Sequence, residues 1–579
     1  MKEKIENLIK ETLEKLDIEY GSISLEHPAD LKMGDYSTNV AMTLAKNLKM
    51  NPKDLADKIV DSLKQGFKNS PKPSFLEKIE AKNGFVNFYL SQEFFVDSVK
   101  EILENKNFGH NNFFINKKVM VEYTDPNPFK PFHIGHLMTN AIGESVSRIV
   151  EFSGAKAIRA NYQGDVGPHV AKAIYGLLKF SMPDENKSIP EKARYIGELY
   201  AKGSDAYETD ENSKKEIDDI NQKIYDRSDE RINEIYDWGR RVTLEAFEEI
   251  YKILGTNFNY YFFESLVAPI GEKIVNENLN KIFEKSEGAI VFKAEKYDPK
   301  LHTRVFINSK GLPTYETKEL GLSKVKFEKE NPDISIVVTA NEQGEYMKVV
   351  EQALKLISPL YASKMKHITH GMMRLASGKM SSRKGNVITG ESLLLESCEQ
   401  ILEKIKDRNF TEEEKKQVSE EVGVAALKYS ILKQNIGGDI IYDAEKSISF
   451  EGDSGPYLQY SYARANSILE KAKLENILPG FLFSKSGFED LKKPDFWDIE
   501  KLLYRFPEIV YRSGEEFEPH YIANYLIEIA RAFNTYYGNT KIIDKNDPES
   551  PYKIALTLAF SLVMKNGLYL LGIKVPERM

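Results

Sequence analysis

Cysteine occurs once, at Cys398, in a chain of 579 residues. That excludes an intrachain disulfide framework and any zinc site built on several thiolates. Long apolar runs are missing as well, since no stretch reaches the roughly 20 residues that a membrane-spanning helix needs. The N-terminal MKEKIENLIKETLEKLDI lacks the extended hydrophobic region of a signal peptide. It alternates charges with an apolar stripe, which predicts an amphipathic helix. A reducing, cytoplasmic setting fits these absences. An excess of positive charge is also lacking, with 80 Lys and Arg against 88 Asp and Glu and a net charge of −8. The total does not advertise nucleic acid, so phosphate contacts have to come from local patches.

What is present is an ordinary globular composition, 41% hydrophobic and 29% charged, in a chain too long for a single core. About three to five domains are expected at this length. Residues 1–112 read as a small α+β unit. Its helical patterns are broken at Pro52, and a strand pair, FLEKIEAKNGFVNFYLS, turns at Lys82-Asn83-Gly84. Residues 113–375 alternate strands and helices in the manner of a doubly wound parallel sheet: KVMVEYT, then HLMTNAIGESVSRIVEFSG ending at Gly154, then AKAIRANYQGD. A charged stretch at about 180–300 reads as a helical insertion, after which TRVFINS, ISIVVTA and HITHGMMRL resume the alternation. Residues 376–440 hold a basic loop and a following helical region. From 441 to 579 the 3.6-residue apolar period predicts an all-α bundle.

The segment DPNPFKPFHIGHL, after the first strand of the alternation, places His133 and His136 at i and i+3 near the start of a helix. In open α/β sheets ligands bind at the carboxyl ends of strands, and phosphates favour helix N-termini. Two imidazoles there can donate to phosphate oxygens, and Gly135 between them lets a flat group approach. Taken alone, such a pair is as readily a surface feature. The second segment, SGKMSSRKGNVITG, combines Lys379, Arg383 and Lys384 with two serines and three glycines, and contains no acid. A loop of that kind can neutralise charge on transferring phosphates, or be no more than a solvated basic loop.

Together, HIGH after the first strand and KMSS after the last resemble the paired signatures of class I aminoacyl-tRNA synthetases. The surrounding blocks resemble the arginyl branch of that class along nearly the whole chain: PADLKMGDYSTNVAMTLAK, VEYTDPNPFKPFHIGHL, NYQGDVG, FEGDSGPYLQYSYARANSIL and LLGIKVPERM. The resemblance implies a multidomain fold: a Rossmann-like catalytic domain with a helical insertion, an N-terminal domain at the tRNA elbow and a C-terminal anticodon-binding bundle. It implies arginine activation by ATP, with Mg²⁺ carried on the nucleotide and no zinc, and transfer of the arginyl group to the terminal ribose of tRNA(Arg). His133, His136, Lys379 and Lys130 are then catalytic, and Gly135, Met380, Ser381 and Ser382 join the two histidines and Lys379 in holding ATP. Glu122, Asn127, Tyr315, Glu319 and Gln343 match the family's arginine pocket. Glu319 stands where the family usually has Asp, and Ile134 where Ala is common. Phe85, Asn87 and Phe88 are candidate tRNA contacts in the N-terminal domain, as are Tyr457, Gln459 and Arg464 in the bundle, with Tyr460 on the same helix and Tyr462 on a neighbouring face. The resemblance further implies a monomer that needs tRNA before it activates arginine. Other readings are a cysteinyl or glutamyl enzyme, a small-molecule nucleotidylyltransferase with its own HxGH motif, or a non-catalytic tRNA-binding paralogue. A cysteinyl enzyme normally needs more thiolates than Cys398 supplies.

Overall fold

Charges alternating with apolar residues make Lys2–Lys15 a helix (α1) with Ile5, Ile9 and Leu13 on its buried stripe. The structure, a computed structural model of the chain, describes residues 1–69, 71–376, 389–480, 497–576 and 578–579. They divide into two units.

The first unit comprises residues 1–108, 464–508 and 528–566. Helices α2 (Val40–Leu48) and α3 (Pro52–Asn69) are separated at Pro52, which opens α3 where its missing N–H is harmless. Strands β1 (Tyr36–Thr38), β2 (Leu76–Lys82) and β3 (Phe85–Leu90) form an antiparallel sheet in the order β1-β3-β2. The β2–β3 turn uses Asn83 and Gly84 at φ 54° and 84°, the left-handed geometry that a tight hairpin requires. Helix α4 (Gln92–Glu104) is capped by Ser91, whose hydroxyl accepts from the Phe94 N–H. Phe88, Phe95, Ile59 and Tyr504 share this unit's core.

The second unit comprises residues 109–463, 509–527 and 567–579. Near-continuous apolar strands, the mark of a sheet covered on both faces, build its centre. Strand β4 (Lys118–Glu122) leads into α5 (Ile134–Phe152), and β5 (Lys156–Gln163) follows. Helices α6 (Pro168–Phe180), α7 (Ile189–Thr209), α8 (Glu211–Asp226) and α9 (Glu230–Leu254) pack around Ile174, Ile196, Ile217 and Val242. The chain then returns to the sheet as β6 (Tyr260–Phe263) and continues into α10 (Glu264–Glu277). Strands β7 (Glu284–Ser286), β8 (Ala289–Phe292) and β9 (Arg304–Ile307) form a separate antiparallel sheet. Helix α11 (Tyr315–Glu330), strand β10 (Ile334–Ala340), helix α12 (Gly344–Ile357) and strand β11 (Met365–His370) complete the domain. The five-stranded sheet runs β11-β10-β4-β5-β6, every pair parallel. Because β4 is central and the chain winds outward on both sides of it, the topological switch lies between β4 and β10. That is where such sheets open a ligand crevice. Two short strands, β12 (Met373–Leu375) and β13 (Ile440–Tyr442), pair in parallel. All named elements after β13 are helical among the described residues.

Two sequence expectations change. The stretch at 180–300 is not wholly helical: Tyr260–Phe263 is a strand of the parallel sheet, and 284–292 belongs to the antiparallel one. TRVFINS likewise pairs with β8 and not with the parallel sheet. Short β-rich strands of this kind carry too few residues to stand out against long amphipathic helices.

Carbonyls that end helices need donors, and in the second unit side chains supply several of them. Lys428, fully buried on the helix Glu412–Leu432, donates to Leu254 O at 2.7 Å and Gly572 O at 2.8 Å. Ser145 and Arg148 of α5 donate to Leu570 O and Tyr569 O at 2.8 and 3.0 Å. Desolvation and the neighbouring Arg148 pull the Lys428 ammonium down to about 7. Lys428→Met keeps the stem but strands two buried acceptors, each costing about 1–3 kcal/mol. A lowered midpoint of thermal unfolding is the expected result, and an unchanged midpoint would contradict it.

Candidate active site

The loop between β4 and α5 is held in backbone conformations that side chains avoid. Thr124, Asp125 and Phe129 have φ of 78°, 46° and 66°. Such strain persists only where surrounding contacts over-determine it, and it concentrates at functional sites. Here the contacts are explicit. The Thr124 hydroxyl accepts from Asn140 Nδ2 at 3.0 Å, Asp125 Oδ1 accepts from the Tyr162 N–H at 2.7 Å, and the fully buried Phe129 ring stacks on Tyr236.

The loop delivers His133 as the N-cap of α5. The His133 N–H donates to His136 Nδ1 at 3.2 Å, the role a carboxylate plays in an ordinary capping box. With Nδ1 accepting, the proton of neutral His136 sits on Nε2, which is left as a donor. The two rings stack with centroids 3.4 Å apart. A Cβ on Gly135 would lie 3.1 Å from His133 Cε1 and Nδ1, so glycine admits the fold of that ring over the helix start. Desolvation and Lys130 hold His133 down to about 4. Desolvation, His133 and Lys130 hold His136 lower than its ordinary value as well. Both imidazoles are therefore neutral at physiological pH, at the positive end of a helix dipole. Lys130 itself lies over the Tyr200 ring at 5.3 Å.

Beside them, at the carboxyl end of β4, lies a cluster of buried acids. Glu122 is ion-paired to Lys326 of α11 at 2.5 Å, both side chains 2% exposed. Glu319, also on α11 and buried, is pushed up to about 8 by desolvation and by Glu122. Asp125 is raised by desolvation and by the same Glu122. Glu264 of α10 is satisfied by Lys318 at 2.6 Å. Glu122, Asp125 and Glu319 thus share Lys326, and burial together with the Glu122 charge makes both Asp125 and Glu319 harder to ionise. Tyr162 and Tyr346 respond to the same charges: both phenols are raised, first by burial and then by Glu264 and Glu319 for Tyr162, and by Glu319 and Glu122 for Tyr346. The Tyr162 hydroxyl is buried without a hydrogen-bond partner among the described residues.

The remaining expected residues divide. Asn127 Oδ1 accepts from the Gly164 N–H at 3.1 Å. Tyr315, at the start of α11, is 59% exposed with Lys318 over its ring at 5.3 Å. Gln343 is exposed, and its Oε1 accepts from the Tyr346 hydroxyl at 3.4 Å. Lys379, Met380, Ser381 and Ser382 lie outside the described residues. Sequence reasoning missed Asp125, Tyr162, Lys318, Lys326 and Tyr346. A signal existed for the two lysines: α11 has charged residues on every side and no dry stripe, so some of them had to be buried. Among the described residues no cluster of three or more His, Cys, Asp or Glu is arranged to hold a metal ion.

Two expected tRNA contacts, Phe88 and Gln459, need correction. Phe88 is fully buried in the core of the first unit, so it has no face on which a base can stack. Asn87 is 3% exposed and its Oδ1 accepts from Ser37 Oγ at 2.6 Å, but it lines the same groove as Phe85 and so stays a candidate. Phe85 remains 39% exposed on a groove that also includes Asn39, Lys82 and Asn83. Gln459 is fully buried, donating to Glu421 O at 3.2 Å and Lys574 O at 2.7 Å, which makes it a structural tie. The strand and helix periods placed these residues correctly but on the inward face. Tyr457 and Tyr460 are half-buried, Tyr462 is buried, and Arg464 donates to Asn534 Oδ1 while lying over the Tyr537 ring.

Comparison with known proteins agrees along the whole chain. The family described as "tRNA synthetases class I (R), catalytic domain" matches residues 98–444. The "Arginyl tRNA synthetase N terminal domain" matches 3–90, and the "DALR anticodon binding domain" 458–579. The chain is 31% identical to an arginine–tRNA ligase of Borreliella afzelii, over 96% of this chain and 95% of that one. It is 30% identical to that of Halothermothrix orenii, over 100% and 99%. Its fold matches the arginyl-tRNA synthetases of Thermus thermophilus (TM-score 0.78, 23% identity, all of both chains) and Plasmodium falciparum (0.73, 20%, 100% and 99%). A central parallel sheet, a pair of neutral histidines at a helix start, a buried carboxylate cluster and three matching family regions lead to one assignment: the chain belongs to the arginyl-tRNA synthetases of class I.

Proposed function

We propose that the chain is an arginine–tRNA ligase that activates L-arginine with ATP and passes the arginyl group to the 3′-terminal ribose of tRNA(Arg). The observation that carries the specificity is the excess of buried carboxyl groups around Lys326. A guanidinium presents a planar fork of donors that carboxylates meet through charge-assisted bonds, and it brings the missing positive charge. Lysine supplies the charge without the fork. A site built on such polar contacts rejects analogues strongly, because the wrong substrate leaves buried groups unpaired.

In the first step an oxygen of the arginine carboxylate attacks the α-phosphorus of ATP, and pyrophosphate leaves. His133 and His136 lie at the start of α5, where a polyphosphate is favoured, and Nε2–H of His136 is a ready donor to an oxygen that gains charge in the transition state. Lys379 and the adjoining Met380, Ser381 and Ser382 complete this phosphate-binding set in our reading. Mg²⁺ enters as part of the nucleotide substrate, since it prefers phosphate oxygens to an all-protein cage. Glu122, Glu319 and Tyr315 take the guanidinium end of arginine, and Asn127 and Gln343 its backbone end. In the second step a hydroxyl of the terminal ribose attacks the adenylate carbonyl and AMP leaves. Phe85, Asn87 and Arg464, with Tyr457 and Tyr460, are the tRNA contacts we retain. We take the enzyme to act as a monomer, as the family resemblance implies.

The test is ATP–pyrophosphate exchange with and without cognate tRNA. Exchange is expected with arginine and to depend on tRNA. Exchange with another amino acid would move the error to the carboxylate pocket. None with arginine, in folded protein with a verified tRNA, would leave a non-catalytic tRNA-binding protein.

A further inference from the structure

His169 is the second residue of α6, 7% exposed, and no role in the reaction has so far required it. Its Nε2 lies 2.7 Å from the carbonyl oxygen of Gly164. A carbonyl only accepts, so this nitrogen carries the proton and the imidazole is the Nε2–H tautomer. The other side of residue 164 is also engaged: its N–H donates to Asn127 Oδ1 at 3.1 Å. Gly164 is therefore held at both ends, by His169 at its oxygen and by Asn127 at its nitrogen. The packing around it leaves no slack. A Cβ at residue 164 would lie 2.3 Å from Asn127 Oδ1 and 3.1 Å from Glu264 Oε1.

This arrangement decides which way the Asn127 amide points. With Oδ1 turned to the Gly164 N–H, Nδ2 is turned the other way. Asn127 thus offers two N–H donors, suited to a carboxylate or carbonyl oxygen and unsuited to an ammonium group. We propose that His169 is a positioning residue for arginine, acting through the backbone of residue 164, whose oxygen it holds and whose N–H faces Asn127, to fix the orientation of the Asn127 amide that receives the substrate's carboxylate. The inference rests on the reading of Asn127 as a substrate contact. Desolvation and then Lys130 hold His169 down to about 3, against the opposing pull of its bond to Gly164 O, so the ring stays a neutral donor across the working pH range.

The experiment compares steady-state kinetics of Asn127→Ala, His169→Met and His169→Gln, singly and with Asn127→Ala combined with His169→Met. Methionine fills the ring's space without a donor, whereas glutamine can return an N–H to Gly164 O. Loss of one positioning hydrogen bond predicts a rise of about three- to tenfold in the KM for arginine in His169→Met. The KM for ATP should be unchanged, and His169→Gln should match the natural protein. The double variant should be no worse than Asn127→Ala alone, because both substitutions disable the same contact. Should the methionine variant fail to fold, His169→Leu offers a smaller apolar side chain that likewise lacks a donor. An arginine KM unmoved by the loss of the donor, a glutamine variant as impaired as the methionine one, or full additivity with Asn127→Ala would each overturn the proposal. An Asn127→Ala variant with an unaltered arginine KM would overturn the pocket reading itself.

Discussion

Alanine at position 136 is expected to slow arginine-dependent ATP–pyrophosphate exchange by about 10²–10³-fold, the usual cost of removing one preorganised donor from a developing oxyanion. The donor is Nε2–H, because Nδ1 of His136 is committed to the N–H of His133. His136→Asn is the informative partner. Its oxygen can still accept from the His133 N–H and its Nδ2 can still donate, so part of the rate should return. The same geometry predicts the pH profile. His133 titrates at about 4 and His136 lower than its ordinary value, so kcat should show no loss from histidine protonation between pH 6 and 8. An inflection near pH 6.5 that vanished in His136→Ala would mean that an imidazolium does the work, and the neutral-donor account would fail.

Much of this site could be read from residue order alone, and the reasons are local. His133 and His136 are legible because three prolines in the preceding loop and a helical pattern after it fix where the helix starts. The sheet is legible because strand and helix periods differ. The charge balance was not legible. Glu122, Asp125, Glu319 and Lys326 meet only because β4 and α11 cover each other in space, and nothing in their sequence spacing announces it. The same limit explains Phe88 and Gln459. An alternating strand or a helical stripe says that a residue faces one side, and only packing decides whether that side is wet. His169 escaped for a further reason: its partner is a backbone carbonyl, which carries no mark in the sequence.

The carboxylate cluster yields the second large effect, a steep dependence of arginine affinity on pH. In the free protein Glu319 titrates at about 8 because desolvation and Glu122 oppose its ionisation. A guanidinium beside it favours the charged form, so binding below pH 8 must first release the proton. The cost grows with distance below that value, by about 1.4 kcal/mol or tenfold per pH unit. The sign follows: affinity rises with pH from 6 to 8, by up to about a hundredfold, and levels off above 8. Calorimetric titration with arginine at pH 7, repeated in buffers of different ionisation enthalpy, should find close to one proton released per arginine bound. Release of two would bring in Asp125, whose carboxyl is also raised. Glu319→Gln should bind arginine more weakly at pH 8 and lose the slope, since the amide cannot ionise. The buried Glu122–Lys326 pair should survive that substitution, because its 2.5 Å contact does not pass through residue 319. A pH-independent affinity with no proton release would mean that arginine is not the cation these carboxyls lack, and the guanidinium pocket would have to be sought elsewhere.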